Sequence, residues 1–285
     1  RSVPDIAFPD SMNVTADPDS AFDGADLVAF VVPSRSLRDN ARRVAPSVDP
    51  DSIVVTATKG LELGSGKRMS QILEEELGDS MMHGVCALSG PNLAREIVAE
   101  MPSSTVIASA DAKAAVTAQS IINSSVFRVY TNEDIVGVEF CGALKNIIAL
   151  GAGIVDGLGL GDNSKAAFMT RGLAEMARLG VAAGASPITF AGLAGMGDLI
   201  ATCSSTLSRN HFVGEQLAKG RSLTEIRGAM QNVAEGVDTT PAAVELAEKL
   251  GVEMPIARMT HGILFNDLSV LDAIAELMGR NPTSE

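Results

Sequence analysis

The sequence predicts an α/β fold in which a sheet unit precedes an all-helical unit. Two observations carry this. Over the first ~130 residues, short apolar runs alternate with amphipathic ones, the pattern of an open parallel sheet covered by helices. From Glu133 onward strand signals stop and helical patterns follow one another. The division falls between residues 131 and 132, giving a sheet unit over 1–131 and a helical unit over 132–285.

Residues 1–26 read as irregular, rich in Asp, Pro and Ser. Residues 25–32 (ADLVAFVV) form a continuous apolar run ending in Pro33-Ser34, as expected of a strand buried on both faces. A helix follows over 36–44, a second strand over 53–57, a helix over 69–77 and a third strand over 85–88. Residues 91–100 open with Pro91-Asn92 and continue as a helix. A strand over 104–108, a helix over 113–122 and a strand over 127–130 complete the sheet. Helices are then predicted at 135–156, 163–183, 187–203, 209–219, 222–230, 239–250, 255–266 and 269–279. Gly180, Gly184, Gly220 and Gly251 stand where C-caps are expected, and Pro187, Pro241 and Pro255 where first-turn prolines are expected.

Composition narrows the function. The chain has 285 residues, 46% apolar and 20% charged, a globular balance sufficient for two domains. Aromatics are 4% with no Trp, which argues against stacking platforms for single strands. A net charge of −13 argues against a broad footprint on nucleic acid or anionic membrane. Three separated cysteines, Cys86, Cys141 and Cys203, make no metal spacing and no disulfide framework, which predicts a reducing, cytoplasmic setting. No uniformly apolar run reaches the ~18 residues of a membrane span, and no signal-peptide layout opens the chain. The three histidines, His83, His211 and His261, join no metal cluster, so no metal is expected.

The stretch 132–172 organises the rest. Ile135, Val138, Cys141, Leu144, Ile148 and Val155 recur at helical spacing. Lys145 sits within this apolar run, with Gly142, Ala149, Ala152 and Gly153 along its face. It reads either as a lysine snorkelling from the edge of a core helix or as a general base whose pKa burial lowers. A parallel sheet also invites a search for G-x-G-x-x-G after the first strand, and none is present. Gly151 and Gly153 lie inside a helix, and Gly60 with Gly66-Lys67-Arg68 misses the Walker spacing. Either the sequence starts partway through the first βαβ unit or the domain never bound a dinucleotide.

Six stretches together resemble bacterial NAD(P)-dependent glycerol-3-phosphate dehydrogenase: Thr58-Lys59-Gly60, Ser89-Gly90-Pro91-Asn92, Ala143-Leu144-Lys145-Asn146, Gly195-Met196-Gly197-Asp198-Leu199, Ser208-Arg209-Asn210 and Val233-Ala234-Glu235-Gly236. The similarity runs from roughly residue 25 to the C-terminus. The family's glycine-rich first loop is not found, and Asn92 stands where the family more often has Ser or Thr. The resemblance implies a Rossmann-like domain, N-terminally truncated, followed by an all-α substrate and catalytic domain. It implies NAD or NADP as cofactor, and reversible hydride transfer between dihydroxyacetone phosphate and sn-glycerol 3-phosphate, which feeds glycerophospholipid synthesis.

By the same resemblance Lys145 exchanges the proton with the C2 oxygen. Lys59, Gly90, Asn92, Lys145, Asp198, Ser208, Arg209 and Asn210 bind substrate. Ser34, Lys59, Ala94, Arg209, Val233 and Glu235 bind cofactor. A helix N-terminus beginning at Ser208 suits phosphate, and Arg209 adds a bidentate donor. Each residue has a plainer reading: a turn lysine for Lys59, a helix cap for Asp198, an ordinary N-cap for Ser208, a surface carboxylate for Glu235. A β-hydroxyacid dehydrogenase of the same fold group is the nearest alternative, and a non-catalytic remnant without cofactor binding is a second. Lys59 and the Ser-Arg-Asn cluster favour the phosphorylated substrate. The partner expected is a small phosphorylated molecule, with no nucleic acid and no membrane span; a homodimer stays open.

Overall fold

A computed structural model describes residues 7–78, 81–230 and 233–281. Residues 1–6 of the irregular opening lie outside that set. The elements in chain order are α1 (Pro18–Phe22), β1 (Leu27–Phe30), α2 (Leu37–Val44), β2 (Ile53–Thr56), α3 (Met69–Leu77), β3 (Cys86–Ser89), α4 (Ala94–Val98), β4 (Ser103–Ala108), α5 (Ala112–Ile122) and β5 (Phe127–Asn132). Then come α6 (Ile135–Gly157), α7 (Asp162–Ala182), α8 (Asp198–Ser204), α9 (Arg209–Ala218), α10 (Leu223–Ala229), α11 (Glu235–Lys249), α12 (Pro255–Phe265) and α13 (Val270–Met278).

The strands form one sheet in the order β1-β2-β3-β4-β5. β1, β2 and β3 run parallel, as do β4 and β5, but β3 and β4 are antiparallel. The parallel sheet expected from the sequence holds except at this one pairing, and the cause of the exception is local. The helix predicted over 91–100 is only the five-residue α4, which buries no side chain. A parallel return needs a crossover that packs over the sheet face. Here the chain turns at Glu100, whose φ of 57° is left-handed, and re-enters beside β3 in the opposite sense. The opening stretch also holds the one-turn α1, whose Pro18 is pre-set for a first helical turn.

Helices cover both sheet faces. α2 and α3 pack on one through Leu37, Ala41, Ile72 and Leu73; α5 packs on the other through Ala114, Ala115 and Ala118. The largest core surrounds α6, which is buried from Gly137 through Val155. A helix that is apolar on every side must be wrapped, and α6 is clad by α7, α8, α9, α11 and α12. It is long and apolar enough to cross a membrane, but it lies inside the protein. Leu144, Ile147, Ile148 and Leu150 are at most 1% exposed, each worth about 1.5–3 kcal/mol of transfer from water.

Three helical expectations change. The helix predicted over 187–203 divides into a 3₁₀ segment (Pro187–Ala191), a π turn (Leu193–Gly197) and α8. Gly195 makes this turn possible, because a Cβ there would lie 2.1 Å from the Phe190 carbonyl oxygen. Gly180 is not a C-cap. It lies within α7, and the Phe190 ring packs where its side chain would be. α11 begins at Glu235, so Pro241 falls inside it rather than in its first turn. Gly236 sets that start, since its N–H is taken by the Asn210 side chain at 2.9 Å.

Candidate active site

The site assembles where the carboxyl ends of β2 and β3 meet α6 and α8. Thr58 ties the ends of β1 and β2, accepting from the Val32 N–H at 3.2 Å and donating to the Val32 carbonyl at 2.9 Å. The next residue, Lys59, therefore leaves the sheet from a fixed point. Its Nζ donates to Asp198 Oδ2 at 2.5 Å and to the Gly90 carbonyl at 3.3 Å. Gly142 on α6 packs against the end of β3, where a Cβ would lie 2.7 Å from Ser89 Oγ and in ordinary contact with the Lys59 side chain.

Lys145 reaches the same carboxylate from the other side. Its Nζ donates to Asp198 Oδ1 at 2.5 Å and to Thr202 Oγ1 at 2.7 Å. Thr202 in turn donates to the Asp198 carbonyl at 2.6 Å. An ammonium has three N–H donors. Among the described residues each lysine engages two of them, leaving one on each. The Lys145 side chain is therefore not snorkelling; it is buried and paired. The helix-cap reading of Asp198 gives way too, because its carboxylate is 2% exposed and committed to two cations.

Two ammoniums and one carboxylate leave one surplus positive charge in a dry setting. Burial pushes Lys145 down from the ordinary lysine value to about 8, against the pull of Asp198, and neighbouring Lys59 adds to the lowering. Burial alone would raise Asp198, but the two ammoniums outweigh it and hold the carboxyl below its ordinary range.

α9 stands beside this centre. Ser208 is its N-cap, accepting from the His211 N–H at 3.3 Å, so the hydroxyl proton remains to donate elsewhere. Asn210 is buried and bridges two helices: its Nδ2 donates to Asn146 Oδ1 at 2.9 Å while its Oδ1 holds Gly236. Arg209 is exposed and makes no hydrogen bond or ion pair among the described residues.

Glu235 is no surface carboxylate. It is half-buried at the first turn of α11 and accepts from the Ser34 hydroxyl at 2.5 Å and the Ser34 N–H at 3.2 Å. Burial raises its pKa, against those two hydrogen bonds. Gly60 packs so closely on Ser34 that a Cβ would lie 2.7 Å from the serine Cβ. Asn92 donates to Thr105 Oγ1 at 2.9 Å. Ala94 is exposed at the start of α4, and Val233 is half-buried just ahead of α11.

The donor set fits a dinucleotide bound along this edge. A narrow cleft opens beside Lys59 and Gly60, bordered by Ser89 and Gly142. Ser89 Oγ, Asn92 Oδ1 and Thr239 Oγ1 are buried without a hydrogen-bond partner among the described residues. Such atoms normally find one. Lys59 and Arg209 add cationic donors suited to phosphates.

Sequence reasoning missed Asn146 and Thr202. Thr202 is four residues after Asp198, the spacing that puts two side chains on one helix face, and that offset was the available signal. Asn146 adjoins Lys145 and turns toward α9 rather than α8.

Comparison with known proteins agrees with this geometry. The family model described as NAD-dependent glycerol-3-phosphate dehydrogenase C-terminus matches residues 134–275, and the N-terminus model of the same family matches residues 1–115. The chain is 50% identical to the glycerol-3-phosphate dehydrogenase [NAD(P)+] of Dehalococcoides mccartyi strain 195, over 99% of this chain and 78% of that protein. It is 46% identical to the protein of that name from Prosthecochloris aestuarii, over 100% and 86%. The crystal structure of glycerol-3-phosphate dehydrogenase from Coxiella burnetii superposes with a TM-score of 0.92 at 36% identity, over 98% of this chain and 84% of that one.

Proposed function

The chain belongs to the NAD-dependent glycerol-3-phosphate dehydrogenase family, and on that footing we propose that it catalyses reversible hydride transfer between NAD(P)H and dihydroxyacetone phosphate, giving sn-glycerol 3-phosphate. The observation that carries the reading is the buried Lys59–Asp198–Lys145 array with its one surplus positive charge. Reduction of a ketone builds negative charge on oxygen, and a preorganised cation stabilises that charge best where water is excluded.

Lys145 is the proton donor in reduction and the acceptor in oxidation. Asp198 and Thr202 fix its rotamer and use two of its N–H groups, so the third is left for the C2 oxygen. Lowered to about 8, it exchanges a proton near neutral pH without a large energetic mismatch. Lys59 supplies the second positive charge and disfavours charging of Lys145. Gly90 and Asn92 border the substrate at the end of β3.

The phosphate of the substrate sits at the N-terminus of α9, where Arg209 and the Ser208 hydroxyl donate and the helix dipole is favourable. Asn210 joins that turn to α6. NAD or NADP, when bound, supplies or receives the hydride. Ser34, Lys59, Ala94, Arg209, Val233 and Glu235 are the residues that would hold it. A β-hydroxyacid substrate would leave Lys59 and the α9 turn without a task. The product is the backbone of glycerophospholipids.

The test is oxidation of NADH and of NADPH by this chain with dihydroxyacetone phosphate, followed by absorbance. Turnover that depends on the phosphorylated ketone supports the reading and names the preferred cofactor. Absence of turnover with both nucleotides would overturn it.

A further inference from the structure

A second charged cluster lies outside the array just described. His211, in the first turn of α9, is buried, and its Nε2 is 2.6 Å from Asp156 Oδ2. Lys165 of α7 holds the same carboxylate oxygen at 2.6 Å. Asp156 is in the last turn of α6, 11 residues beyond Lys145, three helical turns and roughly 16 Å along the same face. One helix thus carries Lys145 at one level and the anchor of α9 at another.

We propose that His211 is a positioning residue: clipped to Asp156, it sets the offset between Lys145 and the α9 turn that carries Arg209 and Asn210. The packing of α6 on α9 explains why a pin is needed. A Cβ on Gly153 would lie 2.0 Å from the His211 carbonyl oxygen, and one on Gly214 would lie 1.9 Å from the Leu150 carbonyl oxygen. Bare backbones in contact have no side-chain ridges and grooves to lock their register. Asn210 meets Asn146 near the substrate, and His211 meets Asp156 further along. Two polar fixings at different levels stop both sliding and rotation. The inference rests on the reading that α9 receives the substrate phosphate.

The experiment uses the full chain as wild type, His211→Leu, His211→Gln and Arg209→Ala. Affinity for sn-glycerol 3-phosphate is read by calorimetry, and turnover is compared for dihydroxyacetone phosphate and unphosphorylated dihydroxyacetone. H211L should weaken sn-glycerol 3-phosphate and raise the KM for the phosphorylated ketone by about 10- to 100-fold, the cost of a misplaced contact. Turnover of dihydroxyacetone should stay within about twofold, which a general packing defect would not allow. H211Q, whose amide can reach Asp156, should restore the affinity. Should H211L fail to fold, H211N, too short to reach Asp156, takes its place. Loss in R209A with wild-type affinity in H211L would overturn the pin and leave the phosphate reading standing. Unchanged affinity in both would overturn both. Equal losses for the two ketones in H211L would also overturn the pin.

Discussion

Lys59 and Lys145 converge on opposite oxygens of one buried carboxylate, that of Asp198, each at 2.5 Å. One comes from the end of a strand, the other from the middle of the longest helix. Their meeting couples the sheet to the helical unit and leaves one positive charge uncompensated. Asp198 can occupy this place because the π turn before it delivers the carboxylate at the start of α8. Such turns recur at functional sites.

The pH dependence of turnover should follow this array. With Lys145 titrating at about 8, oxidation of sn-glycerol 3-phosphate needs its neutral form and should rise as pH climbs through that value. Reduction of dihydroxyacetone phosphate needs the charged form and should fall above it. Asp198 raises the Lys145 pKa and Lys59 lowers it. In profiles of kcat/KM, Asp198→Asn should therefore move the oxidation limb to lower pH and Lys59→Met to higher pH. A limb that neither substitution moves would show that another group titrates.

Gly153→Ala tests the backbone contact between α6 and α9. The added methyl would meet the His211 carbonyl oxygen at 2.0 Å, and neither helix can yield without shifting the other. Overpacking of this kind costs about 1–3 kcal/mol. The urea midpoint should fall with an unchanged slope, and affinity for the phosphorylated substrate should fall with it. Wild-type stability would mean that the helices are less tightly seated.

Glu175 on α7 gives the fold its own pH dependence. Its buried carboxyl accepts from the Ile256 N–H at 2.6 Å and the Ala257 N–H at 3.3 Å, at the start of α12. Burial raises it to about 7 despite those bonds. The folded state therefore keeps the proton that the unfolded chain releases near its ordinary value. The stabilisation is complete below that value and is lost as pH rises through about 7, amounting to about 3 kcal/mol in all. Relative to Glu175→Gln, which cannot ionise, wild type should be most stable below about pH 4 and should lose ground steadily up to about pH 8 in thermal unfolding. Parallel curves for the two proteins would refute the assignment.

Much of this is legible in the sequence. The apolar period of α6 located Lys145, and Lys59 followed a strand at the edge where ligands bind in such folds. The resemblance named Asp198, Arg209 and Glu235, but pairings such as Glu235 with Ser34 depend on residues far apart in sequence. The antiparallel entry of β4 was hidden because Pro91-Asn92-Leu93 reads as a helix start, whereas only five residues become helical. Gly180 and Gly195 look like ordinary breakers in sequence. Their role is to admit Phe190, which only tertiary packing shows. Asn146 escaped notice as a site residue because nothing local marks its side chain as turned toward α9, whereas Thr202 carried one local signal, its four-residue offset from Asp198.

The most direct test of Lys145 is the Lys145→Met variant beside wild type, in dihydroxyacetone phosphate reduction and in sn-glycerol 3-phosphate binding. Loss of a positioned proton donor should lower kcat by about 10²–10⁴-fold. Calorimetric affinity should fall far less, because Lys59 and the α9 turn remain. Turnover near wild type in a variant that still binds substrate would contradict the account and put the proton transfer on another group.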